Sequence, residues 1–396
     1  MPPAAGAAPG WGIATTSAAT GSAATAAQSV SAGLATPEFV RVRELFDSFL
    51  SDDPGYSAQL SVYHCGTKVV DLCGGPGFAP GDITGTYSCS KGVAAFVIAL
   101  LVQDGRLDLD RTVASYWPEF GVHGKDRLTV RQALSHQAGL PGVVGGFPLA
   151  EFTTPAAARR LAASAPLWRP GTAFGYHALT IGILMEELCR RASGMPLQGF
   201  YDEHIRHPWG IDFFLGLPEN QEPRYREVLY DPDPAQPWLD PLSLSGLNSN
   251  APVSTIMELP NHRAVRASGM SSAGGVGSAE GLARLYAAAT TGVDGGPAFL
   301  SPATIDLMAA EQVWGLDRCS GSDNAFAVVF MKPQPGRDFG SHLAFGHEGA
   351  NAALGFADPG YGLGFGYVPR RSEEGRTAGR AQRLSAAVRQ AAHAAC

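Results

Sequence analysis

The chain has 396 residues, 45% of them hydrophobic and only 16% charged, so it can bury a large core and is not a disordered polymer. Its 29 basic and 36 acidic side chains give a net charge of −7, which leaves no basic footprint for nucleic acid. The longest apolar run, Val93 to Val102, is about half of what a bilayer requires, so it belongs in a core rather than a membrane.

In chain order, residues 1–37 read as an uncharged leader rich in Ala, Gly, Ser and Thr. With neither a basic start nor a continuous apolar segment it is not a secretion signal, and it is expected to be disordered. Folding is expected to begin near Pro37, where residues 37–52 place apolar side chains at helical spacing. Residues 58–63 and 69–72, joined by His64-Cys65-Gly66-Thr67, predict an antiparallel hairpin. From 88 to 194 the pattern is helical, with helices expected over 88–105, 128–136, 154–164 and 176–193. Residues 229–254 hold five prolines and read as a long loop or lid. A helix over 278–291 follows, then strands over 325–331, 341–346, 352–357 and 362–368, and a helix over about 377–394. This order implies an α+β fold in which both ends of the chain build one antiparallel sheet, flanked by helices. The sheet domain is then discontinuous, 38–108 with 255–396, and 109–254 is a mainly helical insertion.

Cysteines 65, 73, 89, 189, 319 and 396 form no C-x-x-C pair, so neither a disulfide framework nor a structural zinc site is expected. Reduced thiols point to the cytoplasm. His204 and His207 share a helical face, but a solvated helix end accounts for them better than a metal pair, and no metal or cofactor is expected.

One of only four lysines, Lys91, lies three residues after Ser88, following the Thr84-Gly85-Thr86-Tyr87 turn and opening an apolar helix. A serine in the first turn of a helix feels the positive end of the helix dipole, and an i, i+3 lysine reaches its hydroxyl. Burial of that amine lowers its pKa and makes it a usable base. The structural alternative is a capping serine with a lysine that snorkels to solvent. Ser90 projects about 100° to 200° from the Ser88–Lys91 face, and Cys89 reads as a buried structural thiol. A second Gly-punctuated turn presents Tyr176. Near an ammonium its pKa is expected to fall, so that a phenolate takes the serine proton. In isolation Tyr176 is an ordinary amphipathic residue at a helix start. A third turn, Phe345-Gly346-His347-Glu348-Gly349-Ala350, offers a strand edge and a backbone N–H for an oxyanion; alone, His347 is an ordinary strand-end histidine. No G-x-S-x-G elbow, dinucleotide fingerprint or P-loop occurs.

Together, Ser88-x-x-Lys91, Tyr176-His177-Ala178 and His347-Glu348-Gly349 resemble the three motifs of serine hydrolases with the class C β-lactamase, penicillin-binding-protein-like (transpeptidase-like) fold. The family VIII carboxylesterases are the nearest match, and the resemblance extends over about residues 38–370. It implies that Ser88 is acylated, that Lys91 keeps Ser88 and Tyr176 poised, and that Tyr176 is the general base. It further implies an oxyanion hole from the N–H groups of Ser88 and Ala350. His347, Glu348 and Gly349 would then face the substrate, with His347 where β-lactamases carry lysine. Ala178 replaces the asparagine of β-lactamases, which argues against efficient β-lactam hydrolysis. Glu348 and the run Asn351-Ala352-Ala353 also depart from the usual small or glycine-rich pattern. The expected function is a serine esterase acting on a small ester, thioester or amide. One alternative is an acyltransferase that passes the acyl group to an amine or alcohol. A second, of another class, is a non-catalytic penicillin-recognising or scaffold protein.

Overall fold

The computed structural model describes residues 30–230, 239–251, 256–372 and 379–395. Its main sheet has six strands: β1 (Ala32–Ala35), β2 (Ala58–His64), β3 (Thr67–Gly74), β4 (Phe345–Glu348), β5 (Leu354–Asp358) and β6 (Leu363–Pro369), in the spatial order β1-β3-β2-β6-β5-β4. Every neighbouring pair is antiparallel, and the two ends of the chain meet where β2 pairs with β6, Leu60 opposite Tyr367.

Two layers cover this sheet. On one face lie α1 (Val40–Asp52) and the C-terminal helix, whose apolar side chains Val42, Phe46, Leu384 and Val388 pack with Leu60, Val62, Phe356 and Phe365. On the other lie α2 (Cys89–Gln103) and α4 (Ala279–Thr290), with α3 (Thr180–Ser193) packed against α2; the C-terminal helix (Arg380–Ala395) is α5. In α2 only Leu100, Val102 and Gln103 escape full burial, because this helix is apolar all round and is enclosed on all sides. Strand β6 alternates glycine with large residues. A Cβ on Gly366 would fall 2.1 Å from the Ala279 carbonyl oxygen, so glycine there lets α4 lie directly on the sheet while Phe365 and Tyr367 fill the opposite face.

Several expectations shift. Order begins before Pro37: Ala32–Ala35 pairs with β3, and Arg43 donates to the carbonyls of Ser31 and Gly33, so the end of the expected leader is the sheet's edge strand. Residues 1–29 lie outside the described residues. Within 229–254, residues 231–238 and 252–254 likewise lie outside, but Leu244–Asn248 is a short helix capped by Ser243. The strand expected over 325–331 is Asp323–Phe326, paired with Val313–Leu316, and the one expected over 341–346 begins only at Phe345. The helix expected from Tyr176 starts four residues later, at Thr180, because the N–H groups of residues 176–178 donate to side chains of other segments.

A second, small sheet positions the site. Thr84–Gly85 and Phe213–Phe214 both pair with Val276–Gly277, and the Thr86 N–H donates to Gly275 O at 3.1 Å. The turn before Ser88 is thereby sewn to residues 275–277.

Candidate active site

Ser88 sits at the N-terminal end of α2, directly after Tyr87, whose φ of +47° is left-handed. That conformation costs a non-glycine residue about 1–2 kcal/mol. The Tyr87 hydroxyl donates to Met257 O at 2.7 Å, one of the contacts that hold the turn.

Two side chains converge on the Ser88 Oγ, one from the same helix and one from far along the chain. The Lys91 Nζ lies 2.9 Å from it and the Tyr176 hydroxyl also 2.9 Å. Lys91 is completely buried, and its Nζ makes a second hydrogen bond to Ser272 O at 2.7 Å. The same amine stands 5.0 Å from the Tyr176 ring centroid. Burial drives the Lys91 pKa well below the usual lysine value, with only the Cys89 thiol opposing it. The expectation for Tyr176 is corrected: burial pushes its phenol up rather than down, and the hydrogen bond with Ser88 only offsets part of this. Burial disfavours the ammonium form of Lys91, so it gives a phenolate at Tyr176 little support.

Tyr176 and the Lys91 Nζ both donate to Ser88 Oγ, and Nζ also donates to Ser272 O; loss of the ammonium proton leaves an Nζ lone pair within reach of the serine proton.

Tyr176 is held by residues the sequence did not single out. Its N–H donates to Asp317 Oδ1 at 3.0 Å, and that buried carboxylate also accepts from the Cys319 N–H at 2.8 Å and the Asn324 amide at 2.9 Å. Phe326 stacks on the Tyr176 ring at 5.7 Å, and the His136 ring lies 5.1 Å away. Ala178 donates to Asn248 Oδ1 at 2.7 Å, so a side-chain amide stands beside the position where the motif itself carries alanine. Asp317 lies 141 positions away in the chain, and Phe326 farther still, which is why no local spacing announces them.

The third turn closes the site. A Cβ on Gly349 would fall 2.3 Å from Thr86 O, so only glycine allows residues 348–350 to lie against the turn that precedes Ser88. Asn351 ties the same region together by donating to Gly85 O and Pro369 O, both at 3.2 Å. Cys89 donates to His347 O at 3.3 Å and is itself buried, as a structural thiol is. His347 lies 6.0 Å from the Tyr176 ring, centroid to centroid. Its Nδ1 is 2.8 Å from Glu348 O, an acceptor, which assigns the proton to Nδ1 and leaves Nε2 a bare acceptor. Burial pushes its pKa down to about 3, so it is neutral. Glu348 points elsewhere, since successive side chains on a strand alternate. Its carboxyl accepts from Gln382 Nε2 at 2.5 Å and lies 3.9 Å from Arg337 Nε, and burial raises its pKa.

The decoys have structural work. Ser90 Oγ accepts from the Gly275 N–H at 2.8 Å and donates to Tyr87 O, which fastens α2 to the small sheet. His204 packs on Phe200 with ring centroids 4.3 Å apart. The five described cysteines are free thiols.

A model of the Beta-lactamase family matches residues 42–389, and the chain belongs to that family, with its β-lactamase/transpeptidase-like fold of helices packed on an antiparallel sheet. Its relatives include EstA from Arthrobacter nitroguajacolicus Rue61a, whose solved structure is 54% identical, has a TM-score of 0.90, and overlaps 92% of this chain and 99% of its own. A family VIII carboxylesterase of known structure is 31% identical with a TM-score of 0.81, covering 91% of this chain and 99% of that one. The Esterase/beta-lactamase LipL of Mycobacterium tuberculosis is 30% identical, the match covering 86% of this chain and 82% of that protein. The expected resemblance and fold class are thus borne out.

Proposed function

We propose that this chain cleaves small carboxylic esters through an acyl-enzyme on Ser88. It is an esterase-type serine hydrolase of the β-lactamase fold. The observation that carries the mechanism is the placement of Lys91 Nζ and the Tyr176 hydroxyl, each 2.9 Å from the Ser88 Oγ.

The uncharged Lys91 amine takes the Ser88 proton as Oγ bonds to the ester carbonyl carbon. The carbonyl electron pair moves onto oxygen, where the N–H groups of Ser88 and Ala350 receive it. When the tetrahedral intermediate collapses, the leaving alkoxide takes the Tyr176 phenol proton, and the proton held on Lys91 restores the phenol. Water then adds to the acyl carbon by the same proton path in reverse and releases the acid. High phenol pKa suits this division of labour, because a neutral Tyr176 is a proton donor and a neutral Lys91 is a base. His347 supplies a neutral acceptor at the substrate, not a cation, and Gly349 lets the third turn lie against the turn that carries Ser88. The partner is a small ester. Five free thiols among the described residues fit a reducing compartment, and the proposed location is the cytoplasm.

Intact-mass spectrometry during turnover of an ester panel tests this reading. A transient acyl adduct that is absent from Ser88→Ala supports it; turnover by Ser88→Ala overturns it. Added amines and alcohols in the same experiment report whether water or another acceptor discharges the acyl group.

A further inference from the structure

Helix α3 carries a carboxylate that the reaction above does not use. Its neighbour Glu187 is buried under ion pairs with Arg190 and Arg191. Glu186, half-buried, turns instead to Ser271 and Gln198. Its Oε1 accepts from the Ser271 hydroxyl at 2.7 Å, from the Ser271 N–H at 3.1 Å and from Gln198 Nε2 at 3.3 Å. The Ser271 hydroxyl also lies 3.3 Å from Gly182 O, one turn earlier on the same helix. The surrounding protein strips enough water from this carboxyl to push it up to about 7, opposed by those hydrogen bonds from Ser271 and Gln198. Among the described residues no cation pairs with this carboxylate, and two of its hydrogen bonds come from Ser271, a residue next to the site.

The next residue along enters that site. Ser272 O is the acceptor that holds Lys91 Nζ at 2.7 Å. An uncharged amine has one lone pair, and it acts as a base toward Ser88 only when that lone pair faces the hydroxyl. Fixing one N–H on a rigid carbonyl sets the direction of the lone pair; a carbonyl free to tilt does not. Glu186 grips Ser271 through both its backbone and its side chain, which immobilises the adjoining peptide.

We propose that Glu186 is a positioning residue for the base: by clamping Ser271 it fixes the Ser272 carbonyl that orients the Lys91 amine. The inference rests on the reading of Lys91 as the base for Ser88. Helix α3 then serves the site twice, with the Tyr176 segment leading into its start and the Lys91 anchor held on its flank.

The test is steady-state hydrolysis of a p-nitrophenyl ester by the full chain, alongside the rate of Ser88 labelling by a fluorophosphonate. Glu186→Ala is expected to lower kcat and the labelling rate about 10- to 100-fold with KM nearly unchanged, the scale of a displaced catalytic group. Glu186→Gln keeps an acceptor oxygen and is expected to recover most of the rate. On a Lys91→Ala background, Glu186→Ala is expected to add no further loss. Unchanged kcat in Glu186→Ala while Lys91→Ala is inactive overturns this inference alone. An additive loss, a rise in KM in place of a fall in kcat, or a Glu186→Gln as slow as Glu186→Ala also overturns it. Near-normal rates in Lys91→Ala instead overturn the reading on which it rests. If Glu186→Ala does not fold, Ser271→Ala decides: lower kcat at constant KM supports the clamp, and normal kcat removes it.

Discussion

Replacing Lys91 with methionine separates its chemistry from its effect on stability, and the two are expected to move in opposite directions. Lys91 is fully buried and its pKa is driven down by burial, so the folded protein holds a neutral amine where the unfolded chain holds an ammonium. In the pH interval between those two pKa values the unfolded state binds one more proton than the folded state. Stability therefore rises with pH there, by at most about 1.4 kcal/mol per pH unit for this one group, and is lost as pH falls. Methionine has similar length, carries no proton and occupies the same buried space between α2 and residues 271–272. The variant is expected to be at least as stable as the parent at neutral pH, even though it leaves Ser272 O without its amine partner. Its advantage is expected to shrink as pH rises toward the ordinary lysine value of 10.5. Its kcat, lacking the base 2.9 Å from Ser88 Oγ, is expected to fall about 10²-fold or more. Urea unfolding of both proteins at several pH values between 7.5 and 10 measures the difference directly, with the other titrating groups cancelling between them. A methionine variant that is several kcal/mol less stable, with a pH slope identical to that of the parent, would show that the buried amine is charged and compensated, and the account of the base would fail.

The adjacent serines make an opposite pair. Ser88→Ala is expected to abolish ester hydrolysis with little change in stability, whereas Ser90→Ala orphans the Gly275 N–H, costs about 1–3 kcal/mol in unfolding measurements, and keeps most of the activity; the reverse pattern overturns the assignment of the nucleophile. Tyr176→Phe retains the stack on Phe326 but removes the proton donor to the leaving group, so kcat is expected to drop about 10²-fold at unchanged melting temperature, and a near-normal rate removes the phenol from the mechanism. Removing residues 1–36 takes away β1 and the two carbonyls that Arg43 binds, and thermal unfolding is expected to show a loss of about 1–3 kcal/mol. An unchanged melting temperature would mean that the edge strand contributes nothing.

The features legible in the sequence are those encoded over a few residues. The Ser88–Lys91 pair is an i, i+3 relation, the hairpin of β2 and β3 alternates around a short turn, and α2 is apolar on every face. The hidden features are those whose cause lies elsewhere in the chain. Ala32–Ala35 has no hydrophobic period of its own and becomes a strand because β3 offers it a free edge. Residues 175–179 look helical until Asp317, His136 and Asn248 claim three of their N–H groups, and this pulls Tyr176 out of the helix and over Ser88. The direction of the tyrosine shift was misjudged for a related reason: the charge expected to lower it is absent, because the same burial that encloses Tyr176 also neutralises Lys91. Glu186 resembled any acidic residue on an amphipathic helix until its partners were visible.

The meeting of β2 and β6 also sets a schedule. The hydroxyls of Tyr56 and Tyr367 lie 3.0 Å apart although 311 positions separate them in the chain. At synthesis rates of about 5–20 residues per second, the interval between their emergence from the ribosome is roughly 15–60 s. Throughout it the nascent β2–β3 hairpin presents an unsatisfied inner edge, the kind of surface that invites misassembly and the attention of chaperones. The nucleophile is translated well before the wall that carries His347 and Ala350. Reactivity is thus withheld from the growing polypeptide until that wall has emerged.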